Sequence, residues 1–182
     1  MGQVREVEPV KLLVGMLSAY PEAFTGAESA LADALGPVDL RSDLFAHEFT
    51  EYYRAEMGHP LVRHFIAMRD LVAPGDLARI KRLTNEIENR MAAGSDWPVL
   101  RPVNLDPGYI APSKLVLAST KDFSHRIYLN DGIYAEITLL YQRGRWKDLE
   151  WTFPDFRTSA YHEFFTRVRE RLMQQRRETK RE

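Results

Sequence analysis

An arginine, two tyrosines, a glutamate and a threonine alternate on either side of Asn130-Asp131-Gly132, and that pattern could do chemistry. Asn-Asp-Gly between β-branched and aromatic runs predicts a hairpin. A three-residue loop with Gly132 in the left-handed region sets Leu129 against Ile133, Tyr128 against Tyr134 and Arg126 against Glu136. One face then carries Arg126, Tyr128, Tyr134, Glu136 and Thr138. The other carries Ile127, Leu129, Ile133, Ala135 and Ile137 and reads as a core face. A slip of one residue would set Ile127 against Glu136 and mix the two. Continuing the sheet across Arg143-Gly144 puts Trp151 opposite Glu136 and Leu149 opposite Thr138. Such a face resembles a pocket lining. Arg126 can grip a carboxylate or phosphate bidentately, Glu136 can act as a base, and neighbouring His125 is a second acid–base candidate. Arg126 and Glu136 can equally form a structural cross-strand pair.

A second cluster lies in Asn104-Leu105-Asp106-Pro107-Gly108-Tyr109. Asp-Pro-Gly predicts a tight turn. Asn104 and Asp106 could offer oxygens to a ligand or Mg²⁺, with Lys114 and Lys121 near phosphates. Alternatively they bond local backbone. Other combinations carry less. Glu86 and Glu88 are two apart on a helix and do not face each other. His59 and His64 flank a proline at no metal-ligand spacing, and no metal site is assigned. No Gly-x-Ser-x-Gly elbow occurs. The basic run Arg167, Arg169, Arg171, Arg176, Arg177, Lys180 and Arg181 could touch nucleic acid. Interleaved Glu170, Glu178 and Glu182 favour a solvated helix end instead.

The elements that must position these residues follow from periodicity. Val10–Leu17 reads as a buried strand, Ala23–Leu35 as a helix stopped by Gly36-Pro37, and Val38–Phe49 as strand. Tyr52–Leu71 reads as two extended segments broken at Met57-Gly58-His59-Pro60. Leu77, Ile80, Leu83, Ile87 and Met91 predict a second helix, closed by Gly94-Ser95. Residues 96–112 read as an ordered loop with a short strand around Val99–Leu105. Strands then follow in series over 114–121, 125–129, 133–141 and 145–151. Ser159 caps a final helix with Tyr161, Phe164, Phe165, Val168 and Leu172 on one face. The fold class is α+β: one domain over residues 1–175 with a split βαβ (ferredoxin-like) core, an antiparallel meander and a C-terminal helix, then a charged tail over 176–182.

Composition narrows the function classes. The absence of cysteine removes disulfides, thiolate metal sites and cysteine nucleophiles. A formal charge of −1 argues against a body built to bind polyanions. The N-terminus carries no signal-peptide core, and no apolar run reaches the roughly 20 residues of a membrane span. The expected location is cytoplasmic, with no membrane partner.

Several strings carry a resemblance. They are Pro9-Val10-Lys11-Leu12, Glu56-Met57-Gly58, Val103-Asn104-Leu105-Asp106-Pro107-Gly108-Tyr109, Lys114-Leu115-Val116-Leu117-Ala118, His125-Arg126-Ile127-Tyr128-Leu129, Gly132-Ile133-Tyr134-Ala135-Glu136 and Trp151-Thr152-Phe153-Pro154-Asp155-Phe156. Nearly the whole chain resembles a bacterial family described as domain of unknown function 4416. Phe153 and Phe156 stand where that family usually has tyrosines, so phenol chemistry there is not expected. The resemblance brings a "GTP-binding" label borne by some relatives. No Gly-x-x-x-x-Gly-Lys-Ser/Thr loop supports it, and Thr120-Lys121-Asp122 only echoes a guanine-reading motif. A P-loop GTPase is excluded; another nucleotide site is not. The function expected is binding of, or action on, a phosphorylated or carboxylated small molecule such as a nucleotide, with Glu136 and His125 as catalytic candidates. Arg126, Tyr128, Tyr134, Trp151, Asn104, Asp106, Lys114 and Lys121 are the binding candidates. The alternatives are a non-enzymatic scaffold and an RNA-binding module, nucleic acid being the less favoured partner. These residues specify neither a cofactor, nor an oligomeric state, nor whether the protein is an enzyme.

Overall fold

Every residue of the first strand, β1 (Val10–Ser18), is buried, because helices cover both faces of the sheet around it. The computed structural model describes residues 2–4, 6–49, 54–94 and 97–179. Tyr52, Ser95, Asp96, Lys180, Arg181 and Glu182, named above, lie outside them. After β1 come α1 (Pro21–Leu35), β2 (Val38–Arg41), β3 (Phe45–His47), α2 (Arg54–Met57) and β4 (Leu61–Val72). Then follow α3 (Leu77–Ala93), β5 (Asn104–Ala111), β6 (Lys114–Ser119), β7 (Ile127–Asn130), β8 (Ile133–Gln142), β9 (Arg145–Asp148) and α4 (Ser159–Thr179).

Among the described residues nine strands form one sheet in the order β2-β4-β1-β5-β6-β8-β7, with β3 also on β4 and β9 also on β8. Every ladder is antiparallel. The order β2-β4-β1-β5 is the split βαβ arrangement that the element sequence predicted. Pro21 opens α1, and the Gly36 N–H closes it on the Ala32 carbonyl. Leu12, Val14 and Met16 of β1 pack against Ala23, Phe24, Ala27 and Leu31 of α1 and Ile80 and Ile87 of α3. The opposite face of β1 points Leu13 at α4. There Phe65 lies among Phe156, Tyr161, Phe164 and Phe165 with ring centroids 4.8 to 6.0 Å away. Such rings bury large areas and prefer these edge-on and offset geometries.

Several local expectations change. The strand expected over Val38–Phe49 is two pieces on one neighbour, β2 against Ile66–Met68 and β3 against Leu61–Arg63. Ser42 marks the break, accepting the Phe65 N–H on its hydroxyl. The stretch before Gly58 is a helical turn, α2, where an extended segment was expected. The strand expected over Val99–Leu105 lies further on, as β5.

Asp106-Pro107-Gly108 is accordingly strand and not turn. Proline is tolerated because β5 faces β1 over Asn104–Ile110 but β6 only over Gly108–Ala111, so Pro107 has one flanking strand. Gly108 is needed for close approach: a Cβ there would sit 2.3 Å from the Val116 carbonyl oxygen.

The hairpin keeps Tyr128 opposite Tyr134 but turns through two residues, Asp131 and Gly132, both at positive φ (51° and 76°). Asn130 therefore faces Ile133, and Leu129 becomes a bulge. Ile127 and Leu129 are exposed, not core, because the start of α3 (Leu77, Ala78) covers Ile133 and stops short of β7. At the far end α4 continues to Thr179, and Arg176 bonds the Pro9 carbonyl and Glu8.

A buried polar cluster at one end of the sheet

The C-terminal ends of β1, β3 and β6 and the N-terminal ends of β4, β5 and β8 meet at one end of the sheet. Strand alternation places Arg63, Asp106 and Glu136 on the face that α4 covers. Two polar groupings form there, and they differ in how completely they are satisfied.

The first is the one the hairpin predicted. Glu136 Oε2 accepts from Arg126 Nε at 2.8 Å and from His125 Nε2 at 3.1 Å, and Oε1 accepts from the Thr138 hydroxyl at 3.1 Å. Arg126 Nη1 donates to the Ser119 hydroxyl (2.7 Å) and the Lys121 carbonyl (2.9 Å). The ladder that was to carry Trp151 opposite Glu136 stops at Asp148, because Leu149 and Glu150 turn back. Trp151 still arrives: its ring stacks on His125 at 5.0 Å, and its indole N–H donates to the Ile137 carbonyl. Both Glu136 carboxylate oxygens are thus occupied within the protein. The Arg126 and Glu136 side chains are 7% and 2% exposed, so the pair is buried as well as bonded.

The second grouping centres on Arg63. Its Nη1 donates to Asp106 Oδ2 at 3.0 Å, while Nη2 stands 3.5 Å from Asp155 Oδ2. Asp155 Oδ2 is also 3.6 Å from His47 Nδ1. Both His47 ring nitrogens, Arg63 Nε, Asp155 Oδ2 and the Tyr161 hydroxyl are buried without a hydrogen-bond partner. Native interiors satisfy more than nine in ten such groups, so five orphans in one place call for an explanation.

Neighbouring charges fix the protonation states. Burial and the adjacent Arg63 charge push His47 down, outweighing Asp155 and Asp106, and leave the ring neutral. Burial opposes ionisation of Asp106. The Lys81 and Arg63 charges, with bonds from Arg63 and Asn104, outweigh it and hold the carboxyl below its ordinary range. Burial raises the Tyr161 phenol; the nearby Arg63 charge opposes this and Asp155 adds to it. Arg63 stays charged because Asp106 and Asp155 offset its burial.

A supporting layer reaches in from α3. Lys81 donates to the Leu105 carbonyl at 2.8 Å and stands 3.8 Å from Asp106 Oδ1. Glu88 accepts the Leu105 N–H at 2.8 Å and pairs with Arg101, which also bonds Asn104. Asn104 Nδ2 then donates to Asp106 Oδ2 at 2.7 Å. Asn104 and Asp106 thus bond side chains, where local backbone was the alternative. The Trp151–Phe156 segment forms the lid: Thr152 bonds the Thr138 carbonyl, and Arg157 holds the Thr152 and Glu150 carbonyls.

Of the expected residues, the fold joins His125, Arg126, Glu136 and Trp151 in one grouping and Asn104 and Asp106 in the other. Tyr128 and Tyr134 stack edge-on at 5.4 Å beside the first, with Tyr128 mostly exposed. Lys114 is not brought in; it starts β6 opposite Ala111 and Leu140, at the other end of the strand. Lys121 contributes its backbone carbonyl to Arg126. His47, Arg63, Asp155 and Tyr161 were missed. The available signal was Arg63, a charge at the same parity as core residues Phe65 and Ala67 in an apolar strand. Among the described residues no three His, Asp or Glu side chains group as metal ligands, and no helix is long and apolar enough to cross a membrane.

Fold and cluster together define an α+β protein with a split βαβ sheet and a charged, incompletely bonded interior at one end. The chain belongs to the family described as domain of unknown function DUF4416, whose family model matches residues 8–172. No curated protein and no solved structure matches it.

Proposed function

We propose that the chain binds a small polar metabolite at this end of the sheet, in the cluster of His47, Arg63, Asp155 and Tyr161. The five unpartnered buried polar atoms carry the reading. Leaving each unbonded costs about 1–3 kcal/mol, which an occupant with matching groups would recover.

The atoms also indicate what the occupant offers. Arg63 Nε–H, the Tyr161 hydroxyl and one His47 N–H are donors; Asp155 Oδ2 and the other His47 nitrogen are acceptors. Arg63 and Lys81 are balanced by Asp106 and Asp155, and His47 is neutral, so a second full anion gains little there. Within the nucleotide-like class expected from sequence, a neutral edge bearing both donors and acceptors suits the cluster, as on a nucleobase or carboxamide. A phosphate or carboxylate on the same molecule would stay in water. Asp106, with a third of its side chain exposed, lies on the solvent side.

The test is a thermal-shift screen of nucleobases, nucleosides, nucleotides with and without Mg²⁺, amides and carboxylates. Wild type is run beside Tyr161→Phe and Glu136→Gln. A ligand at 100 times its Kd adds about 2.7 kcal/mol, a shift of several degrees at this size. The shift should weaken in Tyr161→Phe and persist in folded Glu136→Gln. Loss only in Glu136→Gln would return the site to the hairpin. No shift with any compound would mean that ordered water fills the cluster.

A further inference from the structure

The sheet ends differently at its two edges. β2 follows Pro37 and carries Asp39 and Arg41, bound by Lys11 and Arg171 and by Glu28. Prolines and charges are how sheets block further pairing. β7, at the other edge, has neither. Ile127 is 70% exposed, Tyr128 56%, Leu129 37% and nearby Phe123 57%. Neither α3 nor α4 reaches over them, and among the described residues no strand pairs with the outer edge of β7.

We propose that β7 is an interface between two copies of this chain, paired antiparallel about a two-fold axis perpendicular to the sheet. That axis keeps each residue on its own face, so strands centred on Tyr128 set Ile127 opposite Leu129 of the second copy. Tyr128 meets Tyr128 of the second copy on the other face. Apolar side chains then meet apolar ones on both faces, the self-complementarity an isologous contact requires. A second copy supplies this match by symmetry.

The area sets the strength. Four side chains of ~150–250 Å² each, exposed as above, leave roughly 400 Å² of apolar surface per copy. A stable complex buries about 800 Å² per partner, so the short strand and its Leu129 bulge give a weak dimer that forms only as concentration rises.

Sedimentation equilibrium of the full chain tests this from micromolar to submillimolar concentration. The mass of wild type should climb from 21.1 kDa toward twice that value. Ile127→Lys and Tyr128→Lys should associate at least tenfold more weakly, with unchanged circular dichroism and melting because both sites are exposed. Leu100→Lys, at an exposed position in a loop, should dimerise like wild type. A wild type that stays monomeric throughout, a dimer that survives both β7 lysines, or one that Leu100→Lys also abolishes would overturn the proposal.

Discussion

Asp155 Oδ2 stands 3.5 Å from Arg63 Nη2 and bonds neither it nor His47, although all three side chains are buried. The carboxylate arrives on a short helical turn after Pro154, the guanidinium from the N-terminal end of β4. The closed ion pair of the other grouping, Arg126 with Glu136, shows that this fold can close such contacts. The open geometry around Arg63 is therefore the property that separates the two groupings.

Removing an orphan should stabilise the ligand-free protein. Tyr161→Phe deletes a buried hydroxyl that has no partner and leaves its aromatic packing on Phe65 and Phe165 intact. The expected gain is about 1 kcal/mol, or roughly 2–4 °C in melting temperature. Calorimetry of the two proteins without additives decides it; a lower melting temperature would mean that the hydroxyl is already bonded.

Stability should fall as pH drops below about 6.5. Burial and Arg63 hold His47 below its ordinary 6.5, and burial does the same to His64 despite the Asp43 carbonyl and Glu28. Above that pH both rings are neutral, folded or unfolded. Below it the unfolded chain takes up protons that the folded chain refuses, costing up to about 1.4 kcal/mol per pH unit for each ring. Glu88, raised by burial, works the opposite way as pH falls toward its ordinary 4.5, and Asp106 and Asp39 matter below their ordinary 3.8. Urea titrations at pH 7.5 and 6 should show the loss, and His47→Gln should reduce it. Equal stability at both pH values would contradict the assignment.

Breaking the saturated pair should cost stability and not binding. Glu136→Ala strands the buried Arg126 guanidinium, a loss of about 3–5 kcal/mol in denaturant unfolding. Replacing both partners with apolar residues should cost much less, since no charge is then left alone. A double variant as unstable as the single one would argue against this reading.

Gly108→Ala should be among the most damaging of small substitutions. The added methyl would press on the Val116 backbone and Leu117 Cδ2, at 2.3 and 2.6 Å, where the β5–β6 ladder begins. A loss of about 3 kcal/mol, or failure to fold, is expected from the far-ultraviolet spectrum and urea midpoint. An unperturbed variant would mean that β5 and β6 are not paired as described.

Periodicity made much of the fold readable. The apolar run of β1, the alternation of β8, the spacing of Leu77, Ile80 and Ile87, and the Asn130-Asp131-Gly132 turn all sit where local chemistry puts them. Asp106-Pro107-Gly108 misled because its turn propensity is overridden by strand neighbours that no local pattern reveals. Ile127 and Leu129 misled for a related reason: alternation names a face, but only the reach of α3 decides whether it is covered. The Arg126–Glu136 contact was legible because one hairpin holds both residues. His47, Arg63, Asp106, Asp155 and Tyr161 come from five separate elements and meet only when α4 and its preceding turn dock on the sheet.

Histidine-resolved nitrogen NMR tests the central claim most directly. The five ring systems, His47, His59, His64, His125 and His162, report separately on the two groupings. The probe is whichever nucleobase, nucleoside or amide gives the largest thermal shift, or adenosine and nicotinamide in turn where none stands out. Binding at the proposed site should move the His47 nitrogens and slow exchange of its N–H, leaving His125 unchanged. Movement of His125 with a still His47, or no movement of either ring at saturating probe, would contradict it.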